Sequence, residues 1–245
     1  MDSEQNNIST SEKKSSESIE EKKPSKVADI FLGEMRKYTR SQVIAINAIL
    51  CAFIIVFAIF PVSIGILQLA VLQIIAILIS VELLGLLNGM LSGLFFGFVS
   101  FTTALLRPGV LSPLFIRNPL ITFFPRVMIA VVVFFFIKFM DFLFAKIKYK
   151  TDKSAKITPK ILDTIKYAVG SFLGVATNTA GVLGFMYLFY GNDPTAAGVA
   201  ITPAFIGGII VSNSLIEAAV CTVLTPAIVI AVKKTLEYSM RKKMK

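Results

Sequence analysis

Apolar residues run in long blocks along this chain, and polar residues collect between the blocks. Six blocks reach or approach the roughly 20 residues that a helix needs to cross a bilayer. They cover residues 43–60, 64–81, 83–105, 119–144, 165–190 and 203–232, and each predicts a spanning helix. The second and third are separated by almost nothing, while the third and sixth are long enough to tilt or break. Two connections, "LLRPGVLSPLFIRNP" (105–119) and "YGNDPTAAGVAITP" (190–203), mix apolar, proline and polar residues. Such loops either fold back over a pocket or serve as plain linkers.

The polar remainder divides the chain further. Residues 1–27 are rich in Ser, Glu and Lys, lack the apolar core of a cleavable signal, and read as a disordered tail. Residues 28–40 suggest an interfacial amphipathic turn or two. Residues 41–235 form the membrane domain and 236–245 a basic tail.

Composition supports the same reading: the chain is 55% hydrophobic and only 16% charged, against about 25% charged in soluble domains. The net charge of +10 has a topological explanation. Eight Lys/Arg precede the first block, seven lie between residues 145 and 166, and six follow from Lys233. The opposite loops hold only Arg107 and Arg117, so the positive-inside rule places both termini in the cytoplasm. The fold class expected is an all-α polytopic membrane protein with six transmembrane helices, and the charge needs no nucleic-acid partner.

Candidate chemistry is sparse. The chain contains no histidine, which removes the commonest general base and metal ligand. It has no GxSxG, HExxH or GxxxxGK[ST] motif for an enzyme or ATPase. Cys51 and Cys221 fall inside apolar blocks and read as buried thiols rather than a disulfide. In "GLLNGMLSGLFFG", Gly85, Gly89, Gly93 and Gly97 recur every four residues. That spacing clears one helix face for close approach, by a neighbouring helix or by a partner.

Polar groups within the blocks are more telling. Arg126 lies seven residues after Pro119, roughly 10 Å along a helix at 1.5 Å per residue. A central arginine costs about 2.5–3.5 kcal/mol on insertion scales, so it belongs against the bundle rather than against lipid. Asn178 and Asn213 occupy the fifth and sixth blocks, and Gln68 and Gln73 the second. Glu217 shares a helix face with Asn213. Arg126 and Glu217 either neutralise one another or join the amides around a small polar or anionic molecule. Lys138 and Asp141 read as interfacial snorkelling groups.

Taken in order, these segments resemble the substrate-binding S component of energy-coupling factor (ECF) vitamin transporters over residues 40–235. The resemblance rests on the six-helix layout, "AILCA" on the first helix and "LLGLLNGMLSGLFFGFVSFTTALLRP". It also rests on "LSPLFIRNPLITFFPRVMIAV" and "VGSFLGVATNTAGVLGFMYLFYG". The "NPL…PRV" and "TNT" segments are similar to the branch associated with pantothenate. This implies capture of a vitamin from outside, beneath external loops, by a multi-pass protein of a bacterial plasma membrane. It also implies a membrane-embedded T component with two ATPase subunits as partners. Ala48 and Ala52 would meet the T component. The S component itself would hold no catalytic residue, cofactor or metal.

Arg126, Arg117 and Arg107 offer cations for the carboxylate of pantothenate; Asn118, Asn178 and Asn213 suit its amide and hydroxyls. Gln73 stands where the related branch leads us to expect a histidine, which leaves cobalamin or another vitamin as an alternative substrate. A solitary secondary transporter using Glu217 as proton carrier is a second alternative. An intramembrane enzyme is a third, with little in the chain to build an active site from.

Overall fold

A computed structural model of the chain describes residues 38–60, 62–64, 67–69, 71–109, 111–146, 152–191 and 200–243. The expected tail at 1–27 and nearly all of the expected interfacial segment at 28–40 lie outside those residues. So do 147–151 and 192–199 of two connecting segments.

Helix α1 (Arg40–Ile59) starts where Thr39 and Gln42 cap one another: each side chain accepts a hydrogen bond from the other's backbone N–H. An antiparallel hairpin follows, β1 (Val62–Ile64) and β2 (Leu67–Leu69), with Val62 opposite Leu69 and Ile64 opposite Leu67. Then come α2 (Val71–Leu84), α3 (Leu86–Leu106), the short α4 (Ser112–Arg117) and α5 (Leu120–Phe144). Helix α6 (Asp152–Tyr190) is followed by α7 (Pro203–Ile209), a wider π-turn at Ile210–Ser214 and α8 (Leu215–Lys243).

The helices alternate in direction, as contacts at each end establish. The starts of α1 and α3 meet where Asn47 Nδ2 donates to Asn88 Oδ1 at 2.9 Å. Their far ends meet where Arg107 Nη1 donates to the Ile59 carbonyl at 2.8 Å. Early α5 and late α6 join through an edge-to-face contact of Phe124 and Phe185 at 5.3 Å. The end at which α1 begins is called the basic end below, and the opposite one the loop end.

Five helices are long and apolar enough to cross a membrane among the described residues. They are Arg40–Ile59, Leu86–Leu106, Leu120–Phe144, Lys160–Tyr190 within α6, and Pro203–Leu236, which runs through α7 and α8. The protein is therefore a helical, multi-pass membrane protein. The expected second span is different. Its first third is the hairpin, which leaves α2 with 14 residues, about 21 Å against a hydrocarbon core of about 30 Å. Pro61 and Gly65 oppose helix there, and the β-branched Val62 and Ile64 suit strands. Gln68 accordingly lies on β2 and not on a helix.

Helix α2 is the centre of the bundle. Every residue from 73 to 86 is buried, and α2 packs against α1, α3, α5, α6 and α8. An all-round apolar helix belongs in such a position. Within a bilayer its burial gains packing more than hydrophobic transfer, because lipid tails are as apolar as leucine. Close approach is then what counts, and the glycine stripe serves it inside the molecule. A Cβ at Gly89 would stand 3.2 Å from Ala130 Cβ, and one at Gly97 3.0 Å from the Phe123 ring. At Gly93 it would stand 2.9 Å from the Arg126 carbonyl carbon and closer still to the oxygen. Gly85, at φ 85°, makes the reversal between α2 and α3, a conformation that favours glycine.

Candidate functional site

Gln73, Arg126, Asn178, Asn213 and Glu217 lie in the loop-end half of the bundle, on five different helical segments. Helix α5 begins at the Asn118–Pro119 turn, where Asn118 Oδ1 accepts from the Leu120 N–H at 3.2 Å. Asn118 is thus engaged in starting the helix. Eight residues after Asn118, Arg126 is 7% exposed, and its depth has a local cause. Pro125 has no N–H, so the carbonyl four residues earlier, that of Ile121, loses its helical donor. Arg126 Nη1 donates to that same carbonyl at 2.9 Å. The arginine supplies the hydrogen bond that the preceding proline withholds, which meets the requirement that backbone polar groups in lipid be satisfied internally.

The guanidinium also faces α3. Its carbon lies 5.4 Å from the Phe96 ring centroid, within cation–π range, and its charge interacts with that of Glu217. Arg126 Nε, however, has no hydrogen-bond partner among the described residues. One turn earlier, Thr122 is 1% exposed and its hydroxyl is likewise without a partner. Thr122 was not singled out in the sequence, although a hydroxyl in "LITFFPR" four residues before the arginine shares its helix face.

Helices α6 and α8 meet at the same level. Gly181 lets α6 close on Pro125, since a Cβ there would stand 2.8 Å from the proline Cβ. Thr179 Oγ1 donates to Ser214 Oγ at 3.0 Å, joining α6 to the π-turn. Their sequence neighbours, Asn178 and Asn213, both carry buried amide oxygens with no hydrogen-bond partner among the described residues. Asn213 sits within the π-turn, a distortion that recurs at functional sites. Gln73, near the start of α2, is 6% exposed and its amide oxygen is also without a partner.

Buried polar atoms normally find partners, and each exception asks for an explanation. Here one N–H donor and three amide acceptors, on α5, α2, α6 and the π-turn, stand unsatisfied around the loop-end half of the bundle. Arg107 and Arg117 differ from Arg126. Arg107 is exposed and tied to the end of α1, and Arg117 is exposed at the end of α4.

The sequence from residue 42 to residue 229 matches the family described as ECF transporter, substrate-specific component. The chain belongs to that family. No curated protein matches it in sequence. As a member, it is a substrate-binding subunit of a transporter rather than an enzyme, and its family partners in general are a T component and ATPases.

Two further regions of this S component complete the picture. On α1, Ala48 and Ala52 are both exposed, one turn apart on the same face, beside exposed Ile49 and Val56. At the basic end lies a partly buried ionic cluster. Glu82, 8% exposed on α2, accepts from Tyr167 Oη on α6 at 2.9 Å and pairs with Lys233 on α8. Lys233 Nζ also donates to Tyr167 Oη at 2.8 Å. Nearby, Lys166 pairs with Asp141 at 2.7 Å and Asp163 at 3.2 Å. Asp141 is therefore an ion-pair partner, while Lys138 lies 5.6 Å from the Phe134 ring centroid. The signal for the cluster was present: Glu82 is the one acid in "VLQIIAILISVELL". Cys51 and Cys221 are not joined in a disulfide.

Proposed function

We propose that this S component captures a small anionic vitamin at the loop end of the bundle, pantothenate being favoured. In this reading the basic end is cytoplasmic, and a T component with two ATPases completes the importer in a bacterial plasma membrane. One observation carries the substrate reading: the buried Arg126 has a free Nε–H while the amide oxygens of Gln73, Asn178 and Asn213 also lack partners. A ligand that relieves these groups needs an acceptor for the arginine and donors for the amides. Pantothenate offers a carboxylate together with an amide N–H and two hydroxyls.

Capture needs no chemical step. Arg126 already lies in a low-dielectric interior, where its attraction for an entering carboxylate is stronger than in water. The three amides then discriminate, because an analogue lacking a donor leaves a buried carbonyl unsatisfied, at about 1–3 kcal/mol each. Asn118 and Arg117, placed where α4 meets α5, are suited to close the entrance. Ala48 and Ala52 offer a side-chain-poor strip on α1 against which T-component helices can pack.

The test is a thermal-shift screen of the purified protein against vitamins, since a ligand that binds only the folded state raises its stability. Pantothenate is expected to raise the melting temperature, and cells supplying the T component and ATPases are expected to take it up. Stabilisation by cobalamin instead would redirect the substrate assignment. Equal uptake without the partners would overturn the ECF mechanism for this chain.

A further inference from the structure

We infer that Pro125 is a positioning residue for substrate binding, acting through Arg126. The inference rests on the reading of Arg126 as a ligand-binding cation and adds how that cation is held. An arginine has several rotatable bonds, and a flexible one loses much of its binding free energy to ordering. Pro125 removes the backbone donor due at the Ile121 carbonyl, and Arg126 Nη1 occupies that carbonyl at 2.9 Å. The guanidinium is held by one arm, lies 5.4 Å from the Phe96 centroid on its carbon, and keeps Nε free. Gly181, closing against the proline ring, keeps this part of α5 in place. The proline therefore converts a mobile side chain into a preorganised one.

An alanine at position 125 regains the N–H that Ile121 requires, so the helix reclaims the carbonyl and Arg126 loses its anchor. The folded state survives this change, because a helical hydrogen bond is restored. The unusual expectation is that removing a proline leaves stability little changed, the regained hydrogen bond offsetting the lost ring contact with Gly181, and yet weakens binding.

The experiment uses full-length protein in detergent with 15N-labelled arginine, of which the chain holds six. In the wild type, the Arg126 Nη groups are expected to give separate signals, their rotation slowed by the carbonyl. In Pro125→Ala those signals are expected to average. Tritiated pantothenate is expected to bind Pro125→Ala about three- to tenfold more weakly, as for loss of a preordered long side chain. In an Arg126→Ala background, Pro125→Ala is expected to change affinity less than about twofold, because the residue through which it acts is gone. Pro125→Ser, which also restores the N–H, should repeat both results.

Separate Nη signals that persist in both variants would overturn the inference. Equal weakening by Pro125→Ala with and without Arg126 would do so too, since the proline would then act by another route. A wild type that ignores pantothenate would refute the substrate assignment instead, while the spectra would still decide whether the proline anchors the arginine.

Discussion

Replacing Gly93 by alanine tests whether helix approach and site geometry are one property. Gly93 on α3 abuts the backbone of α5 at Arg126: an added Cβ would lie 2.9 Å from the Arg126 carbonyl carbon and 3.2 Å from Val127 Cα. Ordinary contacts of this kind begin at 3.4 Å. The obstacle is main chain on both sides, so no rotamer change relieves it and the two helices must part. Overpacking a tight core costs about 1–3 kcal/mol, and a rigid backbone obstacle belongs at the upper end, about 3 kcal/mol. Replacing a helical glycine by alanine returns roughly 1 kcal/mol. The net loss is about 2 kcal/mol, or a melting temperature lower by roughly 4–8 °C for a chain of this size. Gly184→Ala is the control, because no heavy atom lies within 4 Å of the added Cβ; there the helix-propensity gain should act alone and raise stability. The chain has no tryptophan, but Cys221 is a fully buried thiol outside any disulfide, so in a Cys51→Ser background a thiol-reactive fluorogenic dye reports unfolding. Parting α3 from α5 also moves Arg126, so pantothenate affinity should fall in Gly93→Ala and not in Gly184→Ala. Equal melting temperatures for the two variants would refute the packing argument.

Three further outcomes are expected. Lys233→Met leaves the Glu82 carboxylate, 8% exposed, with Tyr167 but without its paired cation; breaking a fully buried pair costs about 3–5 kcal/mol, and with Lys233 about a third exposed and Lys166 near a smaller loss is expected, so the variant should melt below wild type and Glu82→Gln/Lys233→Met should recover most of the loss. Arg107→Ala removes only an exposed hydrogen bond to the Ile59 carbonyl, so a stability change below about 1.5 kcal/mol is expected, with vitamin affinity unchanged in the same binding assay. Ala48→Leu puts bulk on an exposed α1 position, so vitamin binding by the isolated protein should persist while uptake with the T component and ATPases falls at least about tenfold. Uptake that tracks wild type would exclude Ala48 from that contact.

The parts of the fold legible in the sequence are those that lipid dictates. A bilayer demands long apolar runs, and five of the six expected spans are helices able to cross. The bounds of the second differ, a helix over Val71–Leu84 where 64–81 is expected, because an apolar run says only that a segment is buried. Strand and helix both satisfy that, and Pro61 and Gly65 were the discriminating residues. Helix α6 begins at Asp152, well before the expected 165, and α8 runs on to Lys243. Hydropathy marks where lipid ends, whereas a helix continues as long as its backbone bonds and side chains allow, so polar extensions escape a hydropathy reading. The Glu82–Tyr167–Lys233 cluster was hidden for a related reason. Its members are 66 to 151 residues apart in pairing, and only the packing of α2 between α6 and α8 brings them together.

Arg126 occupies the boundary between what a sequence states and what geometry adds. That an arginine at this depth must face the bundle follows from the cost of a charge in hydrocarbon. That it holds the Ile121 carbonyl follows only when the preceding proline is read as a missing donor four residues back. The second helix proline shows why the pair matters. Pro226 in α8 must free the carbonyl of Thr222 in the same way, yet Ala227 follows it and has no group to donate. A proline alone therefore marks a backbone acceptor in need, which a neighbouring helix or a hydroxyl can meet. A proline followed by a cation meets the need locally and fixes the cation in doing so. For a binding subunit, that is a way to bury a charge and keep it in place with a single adjacent residue.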